Sequence, residues 1–192
     1  LAIQRVSEWD PFVRLTARKA RTIIVTSAET GKRIVQLAKT STIVASQVGI
    51  ADLEFWQLSQ TQQKHSRPFR ILSAGVFHHR KGYHLSLQAF ALFLKSRSDC
   101  EYWLFGDGPE RESLIALSDE LEIDTKIRFV GRVPRKVFLE NLVHGDVFLH
   151  PSLHESGGFV IAEALAAGRP VICLDHGGPA LQVNINNGFI QF

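Results

Sequence analysis

The residues of this chain whose types and spacing could do chemistry are concentrated in HPSLHESGGFVIAEALAAGRPV, His150–Val171. Glu155 precedes Gly157 and Gly158 there, and Glu163 is the only charged side chain between Gly157 and Gly168. Ile161, Ala164, Leu165 and Gly168 recur at helical spacing, which predicts a helix opened by the glycines. Backbone N–H groups at such a start have no intrahelical partner, and the helix dipole adds positive potential, so an anion such as a diphosphate suits them. Glu155 then stands at one end of that anion and Glu163, about two turns along, at the other. A ligand with hydroxyls on both sides of a diphosphate fits, and a nucleotide sugar is such a molecule. The same residues also fit a plainer arrangement, in which Glu155 ends a turn and Glu163 lies on the solvent face of a core helix; residue types alone leave both open.

Such residues need elements to position them. From Arg67 onward the chain alternates regularly: strand FRILSAG, helix from about Tyr83 to Lys95, strand EYWLFG, helix Pro109 to Glu120, strand KIRFVG, helix Arg135 to His144, strand DVFLHP, helix Phe159 to Ala167, strand PVICLD. Near-continuous apolar strands separated by helices predict an α/β domain, a Rossmann-like parallel sheet with helices on both faces. Ligands of such sheets bind beyond the carboxyl ends of the strands. Five loops fall on that edge: 78–82, 106–108, 131–133, 151–158 and 175–178.

In the first of these, HHRKG, Arg80 and Lys81 offer permanent positive charge to a phosphate, or form a solvated basic turn. The two histidines lack a third partner at ligand spacing, so no metal site is expected. GDGPE is explained as a tight turn with Pro109 opening a helix and Glu110 and Glu112 in its first turn. Arg111 occupies the third glycine position of GxGxxG, so the dinucleotide fingerprint is absent. Gly131 and Arg132 could present backbone groups to a base, and His154 could donate to a substrate hydroxyl or merely close its loop. Asp175, His176, Gly177 and Gly178 end the last clear strand near the same edge.

At 192 residues, 45% hydrophobic and 21% charged, the chain has the composition of a globular protein with one domain and a piece of another. A net charge of +3 is mildly basic, compatible with anionic ligands or a membrane surface. No nucleic acid is expected as a partner. Two cysteines, Cys100 and Cys173, make no disulfide framework. No apolar run approaches membrane-spanning length and no leader opens the chain, which starts at Leu1 and has no methionine; the expectation is a cytoplasmic fragment able to touch the inner face of a membrane. Residues 6–20 read as an amphipathic helix with Arg14, Arg18 and Lys19 near its end, followed by strand TIIVT, a helix from Ala28 capped by Ser27, and strand TIVAS. The basic end suits the helix dipole or anionic lipid. QLSQTQQKHS, residues 57–66, is the linker candidate, which divides the chain into 1–56, 57–66 and 67–192.

In order, IIVTS, the strand-glycine step at Gly75 with Lys81 behind it, GDGP, RFVG, PSLHESGGFVIAEALAAGRPVI and the GGP turn resemble family 4 of the glycosyltransferases, retaining enzymes of two Rossmann domains facing a cleft. The seven residues between Glu155 and Glu163 match that family's signature spacing. The resemblance implies that residues 67–192 are the nucleotide-sugar domain, truncated at its C-terminus, and that the first part of the chain is the tail of the acceptor domain. It implies Lys81 and Glu155 as the catalytic pair, Lys81 neutralising the diphosphate and Glu155 contacting the donor sugar. Glu163 would hold the ribose hydroxyls, the amides at Gly157, Gly158 and Phe159 would bind phosphate or sugar oxygens, and the backbone near Arg132 would meet the base. No cofactor and no divalent metal are implied; the partners are a nucleotide sugar and a carbohydrate or lipid-linked acceptor.

The chain departs from that pattern at Val76, where the family often has arginine, with Arg80 as the candidate replacement; at Gly157, where it has phenylalanine; and at Leu181, where an acid often follows GGP. The expected function is retaining sugar transfer, with the fragment by itself binding nucleotide but transferring little. The rival readings are a non-catalytic nucleotide-binding or interaction module of the same fold, and another two-Rossmann enzyme such as a nucleotide-sugar epimerase or a phosphorylase.

Overall fold

The structure, a computed structural model, describes residues 10–25, 28–37, 42–45, 67–155, 157–175, 177–184, 186 and 188–191. The chain divides into two units, 1–48 and 49–192. The expected linker at 57–66, the domain boundary beside it, the Ser27 cap and His176 lie outside the described residues.

The first unit contains α1 (Pro11–Lys19), β1 (Thr22–Val25), α2 (Ala28–Leu37) and β2 (Thr42–Ala45). Asp10 and Pro11 explain where α1 starts: Asp10 Oδ1 accepts from the Phe12 amide at 2.8 Å, and proline at the first helical position gives up no needed donor. Arg18 and Lys19 close the helix, where the dipole favours them. β1 and β2 pair in parallel, Thr22 opposite Thr42.

The second unit runs β3 (Phe69–Ala74), α3 (Tyr83–Ser96), β4 (Cys100–Phe105), α4 (Arg111–Glu120), β5 (Ile127–Gly131), α5 (Arg135–Leu142), β6 (Val147–His150), α6 (Phe159–Ala166), β7 (Val171–Leu174), α7 (Pro179–Gln182) and β8 (Gly188–Gln191). Its six-stranded sheet has the order β5-β4-β3-β6-β7-β8, and every pair is parallel. This is the doubly wound order, in which the winding reverses between β3 and β6 and opens a crevice at their carboxyl ends.

Strand side chains alternate between the faces of this sheet and build a core on each. Ile71, Tyr102 and Leu104 pack with Phe77, Leu87, Phe90 and Leu114 on the side of α3 and α4. Leu72, Phe105 and Phe148 pack with Phe138, Leu142, Ile161 and Ala164 on the side of α5 and α6. Both faces are therefore covered, as the apolar strands predict.

Three differences from the sequence reading have local causes. Helix α4 begins at Arg111 rather than Pro109, because Pro109 and Glu110 form a turn whose Glu110 amide donates to Phe77 O at 3.1 Å. Helix α5 ends at Leu142 rather than His144: the His144 and Gly145 amides turn back to the carbonyls of Asn141 and Leu142 at 3.0 and 3.1 Å. Strand β8 was not expected. Its four residues follow the sequence NINN and show no periodicity; pairing with β7, Gly188 opposite Val171, makes them a strand.

Candidate functional site

The crevice between β3 and β6 is closed by the loops that leave them. Arg80 O accepts hydrogen bonds from the amides of Leu153, at 2.8 Å, and His154, at 3.2 Å, which zips the HHRKG loop to PSLHE. Gly82 makes that approach possible: its φ is +66°, and a Cβ there would lie 2.1 Å from the Pro151 carbonyl oxygen. The zipped loops bring Lys81 Nζ to 2.5 Å from Glu155 Oε2.

Glu155 Oε1 faces the start of α6, with the Gly157 and Gly158 amide nitrogens each at 3.4 Å. Lys81 and the glycine turn therefore share one carboxylate, Lys81 at Oε2 and the two amides at Oε1. The loop after β7 supports it from behind. Gly178 N–H donates to Glu155 O at 3.1 Å, and Gly177, at φ +69°, leaves room for that carbonyl where a Cβ would stand 2.4 Å away. Gln182 Nε2 donates to Gly157 O at 2.6 Å and holds the turn.

Burial alone would raise the Glu155 pKa, but the hydrogen bond and charge of Lys81, with His150 and the Gly158 amide adding to them, hold it below the usual carboxylate range. His150, at the end of β6, is 4% exposed. Burial lowers its pKa to about 4, with Glu155 pulling up and Lys81 pushing down, so the ring is neutral near pH 7. Its Nε2 lies 3.7 Å from Glu155 Oε2 and has no hydrogen-bond partner among the described residues.

Glu163 has a partner that the sequence did not suggest. Its Oε1 accepts from Arg135 Nε at 2.9 Å, its side chain is 16% exposed, and Arg135, at 52%, opens α5 just beyond the 131–134 loop. Of the other expected site residues, Gly157 and Gly158 are buried at the start of α6, and Phe159 is 65% exposed beside them. Arg80, Arg132 and His154 are exposed; Arg80 serves the site visibly through its carbonyl. Val76 is exposed on the loop after β3. The GDG loop has a scaffolding part, with the Phe77 amide donating to Asp107 O at 3.0 Å and the Gly106 amide to Gly131 O at 2.9 Å. Among the described residues no group of three or more His, Cys, Asp or Glu side chains is placed to hold a metal ion.

Sequence reasoning missed Arg135 and His150. A signal for the first was legible: Arg135 and Lys136 stand in the first turn of α5, where the dipole disfavours cations and no acid accompanies them. For His150 the signal was a polar side chain closing the apolar strand VFLH.

An all-parallel, doubly wound sheet with a cation and a helix N-terminus meeting at its switch point defines the Rossmann-like class. Residues 54–190 match the family described as Glycosyl transferases group 1, and the chain belongs to that family. The chain is 36% identical over 110 residues to the lipopolysaccharide core biosynthesis glycosyltransferase LpsE of Rhizobium meliloti (strain 1021), a match covering 57% of this chain and 30% of that protein. It is 26% identical over 171 residues to the GDP-Man:Man(3)GlcNAc(2)-PP-Dol alpha-1,2-mannosyltransferase of Xenopus laevis, covering 84% of this chain and 35% of that one. The crystal structure of Anabaena Alr3699/HepE in complex with UDP superposes with a TM-score of 0.76 at 22% identity, covering 100% of this chain and 56% of that one. WaaG, described as a glycosyltransferase involved in lipopolysaccharide biosynthesis, gives 0.70 at 22%, covering 87% and 48%. These structures share the fold. The chain spans about a third of the length of the curated relatives it matches.

Proposed function

We propose that residues 67–192 are the donor-binding domain of a retaining glycosyltransferase of the family 4 type, which transfers a sugar from a nucleotide-diphosphate donor to a glycan or lipid-linked acceptor without a divalent metal. The observation that carries the reading is the convergence of Lys81 Nζ and the Gly157 and Gly158 amides on a single carboxylate, an anion cradle at the switch point of the sheet. A donor diphosphate taken up there would displace Glu155 and meet the same donors. Breakage of the anomeric C–O bond leaves positive charge on the sugar and new negative charge on the diphosphate. Lys81 and the α6 N-terminus would bind that charge more tightly as it grows, which lowers the barrier.

Glu163, beside the 131–134 loop, would take the ribose hydroxyls, and Phe159 would present its amide and an exposed ring beside the glycine turn. Glu155, released from Lys81, would contact the donor sugar. The relatives named for lipopolysaccharide core and dolichol-linked substrates support an acceptor of that kind, and the UDP held by a neighbour of the same fold supports a nucleotide donor. Among the described residues no helix is long and apolar enough to cross a membrane. A cytoplasmic protein meeting its acceptor at the membrane surface, with Arg14, Arg18 and Lys19 as candidate contacts, suits that chemistry.

Isothermal calorimetry with UDP and GDP in the presence of a chelator tests the reading. Saturable binding of one nucleotide, weakened about tenfold or more by Lys81→Ala, is expected. A protein that binds neither nucleotide would overturn it.

A further inference from the structure

A diphosphate that claims Lys81 and the glycine amides takes from Glu155 donors it now uses, and a buried N–H close by without a partner would offset that loss. The Glu155 backbone is pinned by the Gly178 amide and by the close contact at Gly177, so the side chain has to make the move. His150 Nε2 lies 3.7 Å from Glu155 Oε2, slightly beyond hydrogen-bonding range, in a buried ring that stacks on Phe148 with an interplanar angle of 19°.

We propose that His150 is a positioning residue, whose Nε2–H takes over the Glu155 carboxylate when a diphosphate claims Lys81 and the Gly157–Gly158 amides. This rests on the donor-binding reading above. The geometry asks for little movement: a shift of about 1 Å by the carboxylate brings it to normal hydrogen-bond distance. The imidazole is neutral at pH 7, because its burial holds the pKa near 4. With its proton on Nε2 it donates without adding a cation beside Lys81. The handover turns the residue that occupies the anion cradle into one aimed at the sugar, and it explains why a polar ring ends an otherwise apolar strand.

The test is a double-mutant cycle read by UDP affinity in the full chain. His150→Phe is expected to weaken UDP binding about tenfold when Glu155 is present, and less than twofold in the Glu155→Ala background. His150→Gln, which keeps an N–H donor, should retain affinity within about threefold of the parent. Equal losses in both backgrounds, or none in either, overturn the proposal, since a residue that only fills the core would act regardless of Glu155. A second measurement needs no nucleotide. In Lys81→Met, imidazole ¹⁵N spectra should show the His150 Nε2–H resonance moved downfield by a bond to Glu155, and Glu155→Ala should abolish the shift. If the parent protein binds no UDP, the donor-binding reading fails, and these spectra still decide whether the handover exists; an unshifted resonance in Lys81→Met rules it out.

Discussion

Arg135 Nε and Glu163 Oε1 lie 2.9 Å apart, joining the first residue of α5 to the middle of α6. The contact accounts for two oddities at once. A lone acid on an apolar helix finds a partner, and a cation stands at a helix N-terminus because an acid from the next helix answers it. It also ties Glu163 to the element that follows the 131–134 loop, where the base is expected.

Removing either partner should therefore have different effects. Arg135 is half exposed, so Arg135→Ala should change unfolding free energy by no more than about 1 kcal/mol. Glu163→Ala should weaken UDP binding about tenfold while leaving inorganic pyrophosphate binding unchanged, because only UDP carries the ribose hydroxyls. Parallel calorimetric titrations with the two ligands check this; equal losses for both would remove Glu163 from the ribose site.

Lys81→Ala takes the ion pair from Glu155 and keeps the two amide contacts at 3.4 Å. Part of this pair is open to solvent, so a stability loss of about 1–2 kcal/mol is expected in urea unfolding at pH 7, smaller than for a fully buried pair. Glu155 has a depressed pKa, and the sign follows: its contribution is present above the ordinary carboxylate pKa near 4.5 and is lost as pH falls through the folded value. The penalty of Lys81→Ala should accordingly shrink below pH 4.5.

Gly82→Ala should separate the two loops. It forces a side chain into left-handed backbone and against the Pro151 carbonyl oxygen at 2.1 Å. A destabilisation of about 2–3 kcal/mol is expected, with UDP affinity falling as Lys81 loses its register with Glu155. Thermal unfolding and nucleotide titration of one sample measure both; a variant as stable as the parent would show that the loops do not depend on this contact.

Acid should weaken the fold through His150. Its pKa falls from 6.5 to about 4 on folding, so between those values the unfolded chain binds the additional proton and stability declines as pH falls. The contribution is fully present above about pH 6.5 and reaches on the order of 3 kcal/mol of loss near pH 4, where it stops growing. His150→Gln, which cannot titrate, should flatten the pH dependence of the urea midpoint across this window. An unchanged slope would assign the acid sensitivity to other groups.

The alternation of apolar runs with amphipathic ones was enough to specify a parallel sheet covered on both faces, because buried strands and covering helices each leave a periodic mark. Gly157, Gly158 and Lys81 were legible as groups that suit an anion for a similar reason, since glycine at a helix start and a lysine in a βα loop carry their chemistry in their type; in the structure the anion they meet is the Glu155 carboxylate. Strand β8 left no such mark, because four residues become a strand only through the neighbour they pair with.

By itself the chain order determined which loops lie on the carboxyl edge and which residues there can bear charge or expose amides. Only the tertiary structure decided that Arg80 acts through its carbonyl, that Lys81 and the glycine turn meet on Glu155, that Glu163 answers Arg135 and that His150 turns its Nε2 toward Glu155. Those are distances between residues 5 to 74 positions apart. Such distances are set by strand order, loop closure and the close approach at Gly82 and Gly177, none of which leaves a local pattern in the residues themselves.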